Sequence, residues 1–410
     1  MTFKLDPDAA GFDANRLTRI DDHLRTRYIE PGKIAGCQVV VSRRGQVAHA
    51  ATFGLADREH DVKVADDTIW RLYSMTKPIT GVALLTLYET GAFALSDPVH
   101  RYIPEFRATK VREVREDGTK AEVDPVRPMS VRDAFMHMTG IGMGPPGARL
   151  DLATLGQRPP SLRLGGGGNL QTLMERLATV PLRFHPGTRW LYSWSTDVCA
   201  RLVEVLSGRR FDEYLQATIF DPLGMADTGF SVPDSKVGRF AALYRRAPDR
   251  SVRLLDDPLT SGYRSQPEFL SGSGGLVGTA ADYLRFCHML VNGGELDGVR
   301  ILSRKTVELM RTNHLPGGGD LRQFAVPGGY GEVGFEGMGF GLTVAVSGGP
   351  ALTQSAGSPG EYMWGGAAST AFWIDPVEEI VGVFMTQLMP SGTFNFRGQL
   401  KSIVYGALAD

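Results

Sequence analysis

The sequence predicts an α+β fold: an antiparallel sheet built from both chain ends and flanked by helices, with a mostly helical domain inserted between. Three observations predict it. Near the N-terminus, strand-like residues 37–41 and 46–50 flank Arg43-Arg44-Gly45, a hairpin pattern. Near the C-terminus, residues 369–374 and 379–385 flank Asp375-Pro376 in the same way. Between them helical periodicity dominates, and strands segregated from helices mark an α+β arrangement. This places a discontinuous sheet domain at 1–72 and 263–410, and a helical domain with long loops at 73–262.

The elements follow in order. Residues 13–28 read as a helix with Leu17, Ile20 and Leu24 on one stripe. After the first hairpin, strand-like residues 68–73 lead into a helix whose residues 79–87 are apolar almost all round, closed by Gly91; such a helix lies in a core. Pro78 suits its first turn. Residues 197–207 form a helix with Val198, Leu202 and Val205 on one face, Asp197 as N-cap and Gly208 as stop. Residues 211–220 form another, ending at Asp221-Pro222. Thr279-Ala280-Ala281-Asp282 opens a helix that turns Tyr283, Phe286, Cys287 and Leu290 inward and stops at Gly293. A last helix covers residues 395–409. Residues 105–127 and 140–169, the latter with Gly165-Gly166-Gly167-Gly168, show no periodicity and read as long loops.

Composition narrows the function classes. The 410 residues carry a formal net charge of −1 with no long single-sign run, which removes the electrostatic argument for nucleic acid or an anionic membrane. Cys37, Cys199 and Cys287 are far apart and odd in number, so neither a metal spacing nor a disulfide framework follows. No apolar run reaches membrane-spanning length and no secretory h-region opens the chain; a cytoplasmic protein is the expectation.

Chemistry concentrates at Ser74-Met75-Thr76-Lys77. Three residues apart at a helix start, a hydroxyl and an amine share one helical face. Serine needs a base to become a nucleophile, and burial lowers an amine's pKa towards that role. The competing reading is a helix-capping serine beside a surface lysine. Tyr192 is the second candidate: a phenol near a cation titrates lower, and Lys77 is an available cation. A buried aromatic with a satisfied hydroxyl is the competing reading there. Third, Met363-Trp364-Gly365-Gly366-Ala367 precedes the C-terminal hairpin. Its glycines allow close backbone approach to a ligand, and its N–H groups suit an oxyanion. A plain bulged strand would look the same.

Rival signals fail on context. Gly329-Tyr330-Gly331-Glu332-Val333-Gly334 matches a dinucleotide fingerprint, but no buried strand precedes it and no helix follows. There is no Gly-x-Ser-x-Gly elbow and no His-Glu-x-x-His, so no metal or other cofactor is expected. His137 and His185 read as core or loop histidines ahead of triad members.

With Ser74-x-x-Lys77, Tyr192 and Trp364-Gly365-Gly366 in that order, the chain resembles the family VIII carboxylesterases, serine hydrolases with the fold of class C β-lactamases and penicillin-binding proteins. Residues 54–58, 72–78, 135–140, 220–225 and 274–279 support the likeness over nearly the whole chain. The resemblance implies Ser74 as acylated nucleophile, Lys77 and Tyr192 as its base system, the N–H groups of Ser74 and Ala367 as oxyanion hole, and a site between the sheet and helical domains. Two departures matter. β-Lactamases of this fold carry Tyr-x-Asn where Trp194 stands third here, and Lys-Thr-Gly or a close variant where Trp364-Gly365-Gly366 stands. Trp194, Trp364, Gly365 and Gly366 are therefore expected to line an apolar substrate cleft without a cationic anchor. Such a cleft suits neutral esters better than anionic antibiotics. The expected substrate is a small short-chain ester, with weak β-lactam hydrolysis as a side activity. An amidase, peptidase or acyltransferase on the same scaffold, or an inactive ligand-binding relative, are the alternatives.

Overall fold

The computed structural model describes residues 3–115, 117–142 and 168–410. Its centre is an eight-stranded antiparallel sheet. We number its strands β1 (Gly36–Arg43), β2 (Gln46–Asp57), β3 (Val62–Lys63), β4 (Met338–Phe340), β5 (Ala345–Ser347), β6 (Tyr362–Gly365), β7 (Ala371–Asp375) and β8 (Ile380–Thr386). The spatial order is β4-β5-β6-β7-β8-β1-β2-β3. The two predicted hairpins thus meet edge to edge: Val40 of β1 lies opposite Val383 of β8. Every residue of β1 and β8 is buried, which is why Val39-Val40-Val41 and residues 380–385 show no polar alternation.

Helices cover the sheet. Ala14–Leu24, capped by Asp13, packs against Phe396–Tyr405 and β2, while Ala280–Val291 packs on β1, β7 and β8. Thr279 caps the latter by accepting from Asp282 N. Leu17, Val39, Val82, Val198 and Phe384 belong to one continuous buried apolar cluster, so the insert shares its core with the sheet. A small sheet also joins them: Leu388–Met389 runs parallel to Leu243–Arg246, which pairs with Val252–Asp256.

Three expectations change. Residues 105–127 are not all loop: Val111–Val114 pairs with Lys120–Val123 in a largely solvent-exposed hairpin, which carries little apolar alternation to read. Asp197 is not an N-cap. The helix is Ser195–Ser207, and the wholly buried Asp197 carboxylate accepts from Ser271 Oγ at 2.9 Å and Ser273 N at 3.2 Å. The helix at 211 spans Phe211–Leu215 and, as a π turn, Gln216–Phe220, but it does not stop at Asp221-Pro222: a further helical turn, Asp221–Leu223, carries it to Gly224. Of the expected loop 140–169, residues 143–167 lie outside the described residues. Among the described residues, no helix is long and apolar enough to cross a membrane.

Candidate active site

Two bridges fix the segment ahead of Ser74. Trp70–Arg71 pairs with Val277–Gly278, and Leu72 N donates to Leu276 O at 2.9 Å. The buried Arg71 guanidinium lies over the Phe240 ring at 4.0 Å and pairs with Asp256 at 2.6 Å. Tyr73 then takes a left-handed φ of 46°, rare for a bulky residue and frequent where a functional group is aimed. Tyr73–Met75 forms a 3₁₀ turn that runs into the helix Thr76–Glu89. Ser74 and Lys77 therefore share a face: Lys77 Nζ is 3.1 Å from Ser74 Oγ.

Lys77 is buried and has two further neighbours. Its Nζ donates to Ser273 O at 2.7 Å and lies 4.4 Å from the centre of the Tyr192 ring. Residues 271–273 are wedged between two helices: Thr80 Oγ1 donates to Gly272 O at 2.8 Å, and a side chain at Gly272 would press on Ala200. Burial pulls the amine down to about 7, against the opposing charges of Asp197 and Glu332.

Tyr192 completes the group, its hydroxyl donating to Ser74 Oγ at 2.5 Å. Burial and the Glu332 charge hold this phenol well above its ordinary range, with Ser74 and Trp364 pulling weakly the other way. The expected phenolate is thus not favoured. The lowered amine and the raised phenol make Lys77 the easier of the two to find as a neutral base near neutrality and leave Tyr192 protonated beside the same oxygen.

The Trp364-Gly365-Gly366-Ala367 segment reaches the site differently from expectation. A side chain at Gly366 would overlap the Leu72 carbonyl and Thr370 Oγ1, and one at Gly365 would come within 2.6 Å of Arg397 Nη2. The two glycines admit neighbouring parts of the protein, Gly366 the nucleophile segment and Gly365 the Arg397 side chain. Ala367 shares a buried cluster with Tyr73, and its carbonyl accepts from Ser391 N at 2.9 Å. Among the described residues its own N–H makes no hydrogen bond. Trp364 is 0% and Trp194 4% exposed. Trp364 packs behind Tyr192, ring centres 5.5 Å apart, and against Phe340. Trp364 thus stands wholly in the core as a support for Tyr192, a correction to its expected place as a cleft wall.

Sequence reasoning missed several groups. Ser273 and Asp197 hold Lys77 in place, and Glu332 and Arg397 bring charges to the edge of the site. Arg397 donates to Glu332 O at 2.9 Å and Trp364 O at 3.1 Å, so the edge that was expected to lack a cation holds a guanidinium committed to two carbonyls. His137 is buried against Tyr192, its Nδ1 accepting from Ser193 N at 3.3 Å, and burial followed by Lys77 pushes it well below its usual range. It positions the Tyr192 segment. His185 pairs with Glu113 on the outer hairpin. Elsewhere Asp57, His60 and Asp257 bring potential metal-ligand atoms within 4.8 Å of one another, and none of the three bonds to Ser74, Lys77 or Tyr192.

The arrangement is that of a serine held between an amine with a lowered pKa and a phenol. Known proteins resemble the chain over most of its length. The chain is 31% identical over 369 residues to Protein Rv1367c of Mycobacterium tuberculosis (strain ATCC 25618 / H37Rv), covering 88% of each. It is 29% identical over 391 residues to Esterase EstB of Burkholderia gladioli, covering 90% of each. Among solved structures, EstCE1, described as a hydrolase with promiscuous acyltransferase activity, superimposes with a TM-score of 0.75 at 25% identity, covering 96% of this chain and 99% of that one. The Beta-lactamase family model matches residues 22–402, so the chain belongs to the beta-lactamase family of serine hydrolases.

Proposed function

We propose that the protein hydrolyses short-chain carboxylic esters through an acyl-enzyme on Ser74. The observation that carries this is the position of Ser74 Oγ, 3.1 Å from Lys77 Nζ and 2.5 Å from the Tyr192 hydroxyl. Neutral Lys77 takes the Ser74 proton as Oγ attacks the ester carbonyl, and the N–H groups of Ser74 and Ala367 receive the oxyanion. Tyr192 donates to the departing alkoxide and is reprotonated from Lys77. In deacylation the same pair takes a proton from water and returns one to Ser74. An ester in place of a β-lactam is favoured by the absence of the lysine and hydroxyl at Trp364-Gly365-Gly366.

The test is turnover of p-nitrophenyl acetate, butyrate and octanoate beside a chromogenic cephalosporin, for wild type and Ser74→Ala. Fast ester hydrolysis with little cephalosporin turnover, lost in the mutant, supports the proposal. Faster cephalosporin turnover rejects it. A second reading, acyl transfer to an alcohol, draws on the description of EstCE1 and on the 27% identity over 350 residues to Acyltransferase calJ of Penicillium decumbens. Added alcohol that diverts the acyl group from water without slowing release of nitrophenol favours this second reading.

A further inference from the structure

The strand Leu243–Arg246 leads outward from the surroundings of Ser74 and carries an unpaired cation. Its inner end is fixed by packing: Tyr73, Leu243, Ala367 and Met389 belong to one small buried cluster, and half-buried Leu255 packs on it. That cluster holds the residue before the nucleophile and the residue whose N–H is proposed for the oxyanion. Side chains alternate along a strand, so Leu243 and Arg245 share a face. The parallel register sets Arg245 beside Met389 on that same face, with the two strands about 5 Å apart. Tyr244 and Arg246 take the other face: the Tyr244 hydroxyl donates to Glu59 at 2.6 Å, and Arg246 lies over the Phe394 ring at 4.8 Å. Arg245 therefore stands just beyond the apolar cluster, on the face turned to Tyr73 and Ala367. Its charge is unanswered. Arg245 is half-buried and, among the described residues, has no hydrogen bond, ion pair or ring contact. Across the antiparallel pairing it meets Arg253, and like charges directly opposite each other destabilise a strand pair. Arg253 is answered by Asp249 at 2.5 Å. Residues 243–254 hold four arginines and that one carboxylate. A single free guanidinium, partly desolvated and beside a like charge, suits one monoanion. A carboxylate is such a group, and the planar guanidinium can hold it through two N–H groups. Half-buried Leu255 offers apolar surface to the hydrocarbon that would join this carboxylate to the ester.

We infer that Arg245 binds a carboxylate at the far end of the substrate, and that Leu255 packs on the carbon chain joining it to the ester. The inference rests on the ester reading above and narrows its substrate class to esters that carry a free acid several bonds from the scissile carbonyl. Neutral short esters remain substrates, and a distant acid improves them.

The experiment pairs acid esters with neutral partners of the same chain length, at low ionic strength. In the acyl series, the monomethyl esters of succinic, adipic and suberic acid stand beside methyl butyrate, hexanoate and octanoate. In the alcohol series, 3-butyryloxypropanoate and 6-butyryloxyhexanoate stand beside propyl and hexyl butyrate. In at least one pair the acid ester should exceed its neutral partner in kcat/KM by about tenfold or more. Arg245→Gln should cut that ratio by about tenfold, and Arg245→Lys should keep part of it. Arg250→Gln, on the exposed turn, should leave the ratio alone. Leu255→Ala should flatten the dependence on chain length, and an unchanged dependence removes Leu255 from the site. Acid esters no better than their partners in every pair overturn the inference. So does a ratio unchanged in Arg245→Gln, or one lost equally in Arg250→Gln, which would trace it to the general charge of the hairpin. Kd of the same compounds for Ser74→Ala, with and without Arg245→Gln, reads the acid contact apart from turnover. If no ester is hydrolysed, the ester reading fails; Kd weakened for the acid compounds alone still upholds Arg245, and Kd unchanged overturns it.

Discussion

Lys77 should set the acid limb of activity, and the perturbation is pH itself followed by Glu332→Gln. Burial brings the amine from 10.5 to about 7. At pH 7 about half of the molecules then hold a neutral amine, against roughly 3 in 10,000 for an unperturbed lysine. Burial thus contributes on the order of 10³ in available base. Below that point the neutral fraction falls about tenfold per pH unit. The assay is kcat/KM for p-nitrophenyl butyrate from about pH 5 to about pH 9, corrected for spontaneous hydrolysis. It should rise with unit slope and level off above neutrality. Glu332 favours the ammonium form, so Glu332→Gln should move the limb to lower pH. A rate independent of pH over this range would refute the reasoning. So would a rate still climbing at the alkaline end, as a base with the raised pKa of Tyr192 would require.

Three further outcomes follow from the same geometry. Tyr192→Phe should lower kcat by roughly 10²–10⁴ with little change in KM, and near-normal kcat would remove the phenol from the mechanism. Lys77→Met should abolish turnover yet raise the melting temperature near pH 6. The unfolded chain keeps the lysine proton up to its ordinary pKa and the folded chain only up to about 7, so stability falls as pH drops between the two and the full cost, on the order of a few kcal/mol, persists below. Scanning calorimetry showing a lower melting temperature would contradict this. Gly366→Ala should cost about 1–3 kcal/mol and slow turnover, because its methyl displaces the Leu72 carbonyl two residues before Ser74; wild-type kcat and stability would reject that coupling.

What could be read from the chain depended on how local each signal was. The Ser74-x-x-Lys77 pair and the capped helix at Thr279 are set by neighbours a few residues away, and the structure places both as expected. The two hairpins were legible as pairs of runs, and their meeting through β1 and β8 followed from their shared burial. Asp197 was misread because a carboxylate near a helix start usually caps it, whereas here the loop at 271–273 takes it inward. Trp364 was assigned to the cleft from its chemistry, but which face of a segment is buried depends on distant partners such as Phe340. Glu332 and Arg397, 65 residues apart, meet only through tertiary packing. Glu332 lies in the glycine-rich stretch that had been weighed only as a nucleotide motif.

The most direct test of the account is the identity of the acylated atom. Wild type and Tyr192→Phe are mixed with p-nitrophenyl butyrate, quenched in acid within the first turnover, digested and examined by mass spectrometry. The account predicts one butyryl group, on the peptide bearing Ser74, with none in Ser74→Ala. Full ester turnover by Ser74→Ala, or a butyryl group that accumulates at a competent rate on another residue, would contradict it.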